Sequence, residues 1–149
     1  MRRVMLSRVA WVISIALLAA ACSNQTTTPT TPTTPTTPTT VDKTETFTGD
    51  LPQGGSALYA FTTEAGKVTT TVASIGPDPT EGVGLEVGTW DGFSCIPVIS
   101  NTTAVMGSSL IGTASTAISL CVRIYDSGYL SEGQTITYTI QVLHQTKAS

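Results

Sequence analysis

The chain has 149 residues, of which 11% are charged, and a formal net charge of −3. Three of its seven basic residues lie before Cys22, so four basic residues face ten acidic ones in the remainder. This balance argues against nucleic-acid binding, which needs a basic face, and against electrostatic docking on anionic lipid. Abundant Thr, Ser and Gly are typical of extracytoplasmic β-rich proteins rather than of cytosolic helical enzymes.

Residues 1–21 have the pattern of a secretory signal peptide. Three arginines precede the apolar run Val9–Ala21, which ends in small residues. The stretch Leu18-Ala-Ala-Ala-Cys22 resembles the lipobox of bacterial lipoproteins, whose cysteine thiol is diacylated. The resemblance implies a lipid on Cys22 that attaches the protein to a membrane. Ser23, in place of an aspartate retention signal, favours the outer membrane or cell surface.

An uncleaved membrane anchor and plain secretion are the alternatives to a lipid anchor. The apolar run would form a helix of about 20 Å, shorter than the ~30 Å hydrocarbon core of a bilayer. No basic residue follows before Lys43, so a stop-transfer flank is also missing. These features favour cleavage and lipidation.

Residues 22–40 form a predicted linker that begins at the lipidated cysteine. Pro29, Pro32, Pro35 and Pro38 recur every third residue among threonines. Polyproline II has three residues per turn, so this spacing places the prolines on one side of an extended spacer. At ~3.1 Å per residue the spacer reaches up to ~55 Å, which would hold a domain off the membrane.

Residues 41–149 form the predicted globular domain, and their dominant signal is alternation of apolar and polar residues. This period of two predicts β-strands. The clearest are 118–124 and 135–143, and Val83, Leu85 and Val87 mark a third. Shorter predicted strands are Thr44–Thr48, Ala57–Thr62, Val68–Ala73, Ile96–Ile99 and Thr103–Met106.

Glycine- and Asx-containing turns separate these strands. They fall at 50–55, 64–66, 76–79, 91–92 and 126–128. Short strands with one apolar face, joined by such turns, predict two sheets packed face to face. The fold class is therefore an antiparallel β-sandwich, jelly-roll-like, with a closed barrel as the alternative.

Two cysteines remain if Cys22 carries lipid. An even pair in an exported chain predicts a disulfide between Cys95 and Cys121, with two buried free thiols as the alternative. Cys121 alternates with Leu120 and Val122, so the bond is expected on the outer face or edge of a sheet. It would tie the Trp90–Ile96 region to the penultimate strand.

The domain resembles the bacterial pre-peptidase C-terminal domain family in the order of several short motifs. These are Phe47-Thr-Gly49, Leu58-Tyr-Ala-Phe61 and Gly66-Lys-Val68, then Cys121-Val-Arg-Ile-Tyr-Asp-Ser-Gly128, Tyr138-Thr-Ile-Gln-Val142 and His144. Members are β-sandwich modules that are usually appended to secreted hydrolases, and some bind matrix polymers and calcium. The resemblance implies a non-catalytic module. No catalytic domain precedes it here, which favours a free-standing surface module.

Catalytic and metal-binding residues are sparse. The single histidine, His144, is expected to be a solvated strand end rather than a catalytic base. Scattered carboxylates, of which Asp42, Asp50 and Glu86 are candidates to meet in space, do not define a glycosidase pair by spacing. No cofactor is expected. Calcium is the possible metal, with Asp78, Glu81 and Asp126 as weak candidate ligands, although turn formation is the favoured role for them.

The candidate ligand-binding residues are Trp90, Phe93 and Tyr129, aromatic residues at or near glycine turns. Exposed rings in such loops stack on sugars or anchor protein partners. For Trp90, a plug at the end of the core is the favoured alternative. The function predicted from these features is a lipid-anchored, non-enzymatic envelope module that binds a polymer or a protein. A hydrolase with a carboxylate site and a purely structural spacer are the alternatives.

Overall fold

The computed structural model describes residues 39–148, which fold as eight antiparallel strands in two sheets. The predicted signal peptide, Cys22 and nearly all of the predicted linker lie outside the described residues. Within 39–148, no helix is long and apolar enough to cross a membrane. The strands are β1 Thr40–Pro52, β2 Ser56–Thr63, β3 Gly66–Gly76, β4 Val83–Trp90, β5 Cys95–Ala104, β6 Ser109–Ala114, β7 Ile118–Tyr125 and β8 Thr135–Lys147.

The strand order is that of a jelly roll. One sheet, which we call sheet A, has the order β1-β8-β3-β6, and the other, sheet B, has the order β2-β7-β4-β5. All pairings are antiparallel. Successive strands in the chain lie in opposite sheets up to β4, so the chain crosses repeatedly between the two layers. The predicted sandwich is confirmed.

The core lies between the sheets and is built by the alternation seen in the sequence. In β8 the inward residues are buried and the residues between them are mostly exposed. Each of the seven remaining strands also contributes buried residues to this core. The fully buried aliphatic residues are Leu51, Val72, Val83, Leu85, Ala104, Val122, Ile124, Ile136, Ile140 and Val142.

Two strands differ from the prediction. Residues 96–99 and 103–106 were expected to form separate strands, but they belong mainly to the single strand β5, and 105–108 form the turn that follows it. The pairing of β5 with β4 is irregular near Pro97 and again near Asn101. These irregularities interrupt the alternation that reveals a strand. Strand β6 was not predicted, because its inward positions include Gly112 and Ala114, which give little apolar signal.

The two seams of the sandwich differ. At the β1–β2 seam the rings of Phe47 and Tyr59 stack with centroids 4.5 Å apart, and the Tyr59 and Tyr138 hydroxyls lie 2.7 Å apart. Burial, followed by the hydrogen bond with Tyr59, raises the pKa of Tyr138. Aromatic side chains therefore close this seam. At the seam between β5 and β6, Ile99 lies against Gly112, and an apolar cleft remains beside them.

Candidate ligand-binding site

A disulfide fixes the start of β5. Cys95 and Cys121 are bonded, with their Cα atoms 5.7 Å apart, as the sequence predicted. The bond joins β5 to β7 across the intervening strand β4, because Cys121 pairs with Gly88 of β4. Cys121 faces away from the core residue Val122, which confirms its outward position. It is nonetheless fully buried.

Gly88 explains how β5 comes so close to β7. A Cβ atom placed on Gly88 would overlap the carbonyl oxygen of Ile96 and lie 3.0 Å from the Cα atom of Pro97. The absence of a side chain therefore lets the first residues of β5 fold onto the outward face of β4. A larger residue here would push β5 away from its disulfide partner.

The β4–β5 hairpin presents apolar side chains to solvent. Phe93 at its tip is 94% exposed, and Val98 in β5 is 70% exposed, with Ile96 also exposed between them. The tip is held by Asp91, whose Oδ1 accepts hydrogen bonds from the backbone N–H groups of Phe93 and Ser94 at 2.8 and 2.7 Å. These hydrogen bonds, that of Ser94 foremost, hold the pKa of Asp91 below its usual value. We call Phe93, Ile96 and Val98 the hairpin patch.

An apolar cleft of about 210 Å³ opens between the sheets beside this patch. Its floor includes Val68, Val87 and Leu110 from the core, and its rim includes Val98 and Ile118. None of the lining side chains is ionisable. The arrangement suits insertion of uncharged apolar groups and not the binding of an ion.

One buried hydroxyl at the cleft has no partner. Thr70 lines the cleft and is fully buried, and its Oγ1 atom makes no hydrogen bond within residues 39–148. Leaving a buried hydroxyl unpaired costs roughly 1–3 kcal/mol. A ligand group that paired with this oxygen would recover part of that cost.

The structure separates the three aromatic residues predicted to bind a ligand. Trp90 ends β4 and Phe93 follows it, whereas Tyr129 packs against Gly82, just before β4 begins. The eight residues of β4 span about 26 Å, so Tyr129 lies at the opposite end of the sandwich. Trp90 is partly exposed and does not pack against the core cluster, so the core-plug interpretation is wrong.

The loop that carries Tyr129 is organised by Asp126. Its Oδ2 accepts a hydrogen bond from the backbone N–H of Gly54, and its Oδ1 accepts bonds from the N–H groups of Gly128, Tyr129 and Leu130. These bonds, that of Gly54 foremost, lower the pKa of Asp126. The carboxylate therefore serves as the centre of a turn that links two loops.

The other calcium candidates also lie in turns. Asp78 accepts hydrogen bonds from the N–H and hydroxyl of Thr80, and Glu81 accepts one from the Gln134 amide. Over residues 39–148, no group of three or more His, Cys, Asp or Glu side chains is arranged to hold a metal ion. The structure gives these residues roles in loop geometry.

His144 is buried, and the expectation of a solvated strand end is wrong. It is 1% exposed, with its ring 5.2 Å from that of Phe61 and its Nε2 3.4 Å from Oε1 of Glu45. Its Nδ1 lies 3.2 Å from the carbonyl oxygen of Gln145. The reason is that β8 runs on to Lys147 and β1 begins at Thr40, so His144 lies inside the ladder.

The three carboxylates proposed to meet do not. Asp42 and Asp50 lie eight positions apart along β1 of sheet A, a distance of about 26 Å in an extended strand. Glu86 lies in β4 of sheet B and points outward, where it is 3.5 Å from Arg123. The candidate carboxylate site is thus divided between two sheets.

Comparison with known proteins gives remote structural likenesses. The sequence matches no protein-family profile, and no curated protein is similar to it. The chain is similar in structure to PliG of Aeromonas hydrophila, a periplasmic inhibitor of g-type lysozyme, at 13% identity and a TM-score of 0.49, covering 69% of this chain and 86% of that one. It is also similar to the Burkholderia pseudomallei antigen and type I fimbria protein BPSL1626, at 14% identity and a TM-score of 0.34, covering 72% and 99%. At these values neither likeness carries a functional conclusion.

Proposed function

We propose that this protein is a non-catalytic module of the bacterial cell envelope that binds a protein partner through the hairpin patch and the adjoining cleft. The observation that carries the proposal is that Val98, exposed in the same hairpin as the exposed Phe93, lines an apolar cleft. Exposed apolar residues grouped around a concave apolar surface mark interaction sites in soluble domains. The disulfide supports the proposal because it holds the patch in a fixed position, which reduces the entropy lost on binding.

A protein ligand fits this site better than a polysaccharide. Sugars are bound by aromatic platforms together with polar and charged side chains. The cleft lining contains no ring and no ionisable group, and its polar side chains are only the hydroxyls of Thr70, Thr89, Thr113, Ser115 and Thr116. The hairpin patch offers one exposed ring, Phe93, with aliphatic residues beside it. Such a surface matches the apolar centre of a protein–protein interface.

The hydrolase alternative lacks support in the described residues. The imidazole of His144 is buried between a carboxylate and a backbone carbonyl, and no hydroxyl or thiol in residues 39–148 is hydrogen-bonded to it. The carboxylates of Asp126 and Asp91 accept hydrogen bonds from backbone N–H groups, and Asp91 also accepts one from the Ser94 hydroxyl, as expected for turn-forming residues. Turnover of a glycosidase, esterase or peptidase substrate that disappears on one carboxylate substitution would nevertheless contradict the binding proposal.

Photo-crosslinking in the native envelope tests the binding site. Benzoylphenylalanine in place of Phe93 is expected to give a discrete protein adduct, whereas the same residue in place of Tyr129, at the opposite end, gives none. Val98→Asp should reduce the Phe93 adduct at least tenfold because it puts a charge at the cleft mouth. Leu58→Asp, a matched change at another exposed residue of sheet B, should leave the adduct unchanged. Equal adducts at both ends would overturn the proposed site.

The proposed anchor is tested separately by Cys22→Ser. This variant is expected to lose palmitate labelling and to accumulate as an uncleaved or soluble product, because the acylated thiol is gone. Labelling with radioactive palmitate and carbonate extraction of membranes measure the two effects. Retention of the variant in carbonate-washed membranes would show that the apolar run itself anchors the protein.

A further inference from the structure

We infer that the partner binds as an extended strand added to the free edge of β6, with alternate side chains inserted into the cleft. The inference rests on the proposed function and names its mode of recognition. An extended segment that joins a sheet edge gains main-chain hydrogen bonds, and its alternate side chains enter pockets beside the sheet. Three elements of this seam favour such binding.

The first element is an unpaired strand edge. The N–H of Val72 donates to the carbonyl of Ser108, and the N–H of Gly107 donates to the carbonyl of Val72. In an antiparallel ladder, residues whose backbone groups bond to the neighbouring strand alternate with residues whose backbone groups do not. Leu110, Gly112 and Ala114 are therefore the residues of β6 that hydrogen-bond to β3. The backbone groups of the residues between them, Ser109, Ile111 and Thr113, therefore point to the free edge.

The second element is the lack of protection at this edge. Natural sheet edges are usually guarded by charges, prolines or bulges. Strand β1 carries four charged residues and Pro52, and β5 carries Pro97 and two irregularities. Strand β6, Ser-Leu-Ile-Gly-Thr-Ala, has no charge and no proline, and Ile111 is 57% exposed. The uncharged edge of β2 differs because the aromatic stack of Phe47 and Tyr59 closes its seam.

The third element is the cleft beside β6. Leu110, Gly112 and Ala114 all line it, so the inward side chains of a strand paired with β6 would point into the same space. An apolar cavity of about 150 Å³ accommodates benzene, so 210 Å³ accommodates one aromatic or two small aliphatic side chains. The small side chain of Ala114 leaves room for them, whereas the Cδ1 atom of Ile99 lies close to Gly112.

Charge defines the partner segment further. The cleft excludes charged residues from the inserted positions because no lining group can pair with them. The chain after Cys22 carries ten acidic and four basic residues, which favours basic residues flanking the inserted segment. The expected partner segment is thus extended, apolar at alternate positions and basic at its ends.

Hydrogen exchange tests this mode directly. The probe is a synthetic peptide of alternating valine and threonine with two lysines at each end, added to the chain Ser23–Ser149. Binding is expected to slow amide exchange at least tenfold at Ile111 and Thr113. Leu110 and Gly112 should change little, because their N–H groups are already paired with β3. Unchanged exchange at Ile111 and Thr113 at millimolar peptide overturns the inference.

Two variants at one position separate backbone from side-chain effects. Ile111→Pro removes an N–H from the free edge without removing a bond to β3, and should weaken peptide binding at least tenfold more than Ile111→Thr. If the proline variant fails to fold, the exchange of the Ile111 and Thr113 amides in the unaltered chain still shows whether the peptide adds to the edge of β6. Equal affinity for both variants would contradict strand addition.

Other occupants give different results. Octanol serves as a small apolar probe of the cleft. If octanol blocks peptide binding but does not protect the Ile111 amide, the cleft would be assigned to a small apolar molecule. Protection of Ile111 that depends on protein concentration, without peptide, would assign the edge to a second copy. A peptide ending in glutamates that binds equally well would overturn the charge requirement. A Phe93 crosslink with an unprotected Ile111 amide would leave the proposed function standing and overturn only strand addition.

Discussion

Replacing both Cys95 and Cys121 with alanine is expected to lower the free energy of unfolding by about 3–4 kcal/mol. The two cysteines lie 26 positions apart, and the closed loop restricts the unfolded chain by roughly this amount in the chain-entropy model. Urea unfolding of the oxidised chain and of the double variant measures the difference. For a domain of this size the midpoint of thermal unfolding should fall by roughly 15 °C or more.

Reduction of the unaltered chain provides the control for this prediction. It should give the same loss of stability, because it removes the bond without changing a residue. Exchange of the backbone amides in the hairpin patch should accelerate before that of β8, since the bond holds the start of β5 over Gly88. A loss below about 1 kcal/mol would contradict the role assigned to the bond.

Ile140→Ala is expected to destabilise the domain by about 2–5 kcal/mol. Ile140 is fully buried in the middle of β8, and truncation of such a residue removes its burial and leaves a cavity. Leu143→Ala in the same strand is the matched control. Leu143 faces outward and is 41% exposed, so the cost should stay below about 1 kcal/mol. Equal losses in chemical denaturation would mean that the faces of β8 are assigned wrongly.

The fold was predictable where one face of a strand is buried. Strand β8 shows a strict alternation from Ile136 to Val142 because every second residue enters the core. The same rule failed for β6, because two of its three inward positions, Gly112 and Ala114, hold small residues that line a cleft instead of filling a core. It also failed at His144, because the sequence does not show that β1 extends back to Thr40 and covers it.

The candidate site was predictable only in part. The disulfide and the exposed ring of Phe93 follow from cysteine number and from the Asp91-Gly92 turn, both of which are local signals. The cleft does not follow from local signals, because its walls come from strands of both sheets that are distant in sequence. Tyr129 and Phe93 were grouped because both are aromatic and lie at or near glycine turns, whereas the direction of β4 places the two at opposite ends.

The shortness of β6 has a mechanical consequence. The domain joins the preceding chain at Thr40 on β1, the opposite edge of sheet A from β6. Tension between a tether at Thr40 and a partner held on β6 would therefore cross the whole sheet, through β8 and β3. The β1–β8 ladder runs the full length of two 13-residue strands, while β6 has six residues. Under load, β6 would peel from β3 first, so the connection to the partner would break before the anchor strand does.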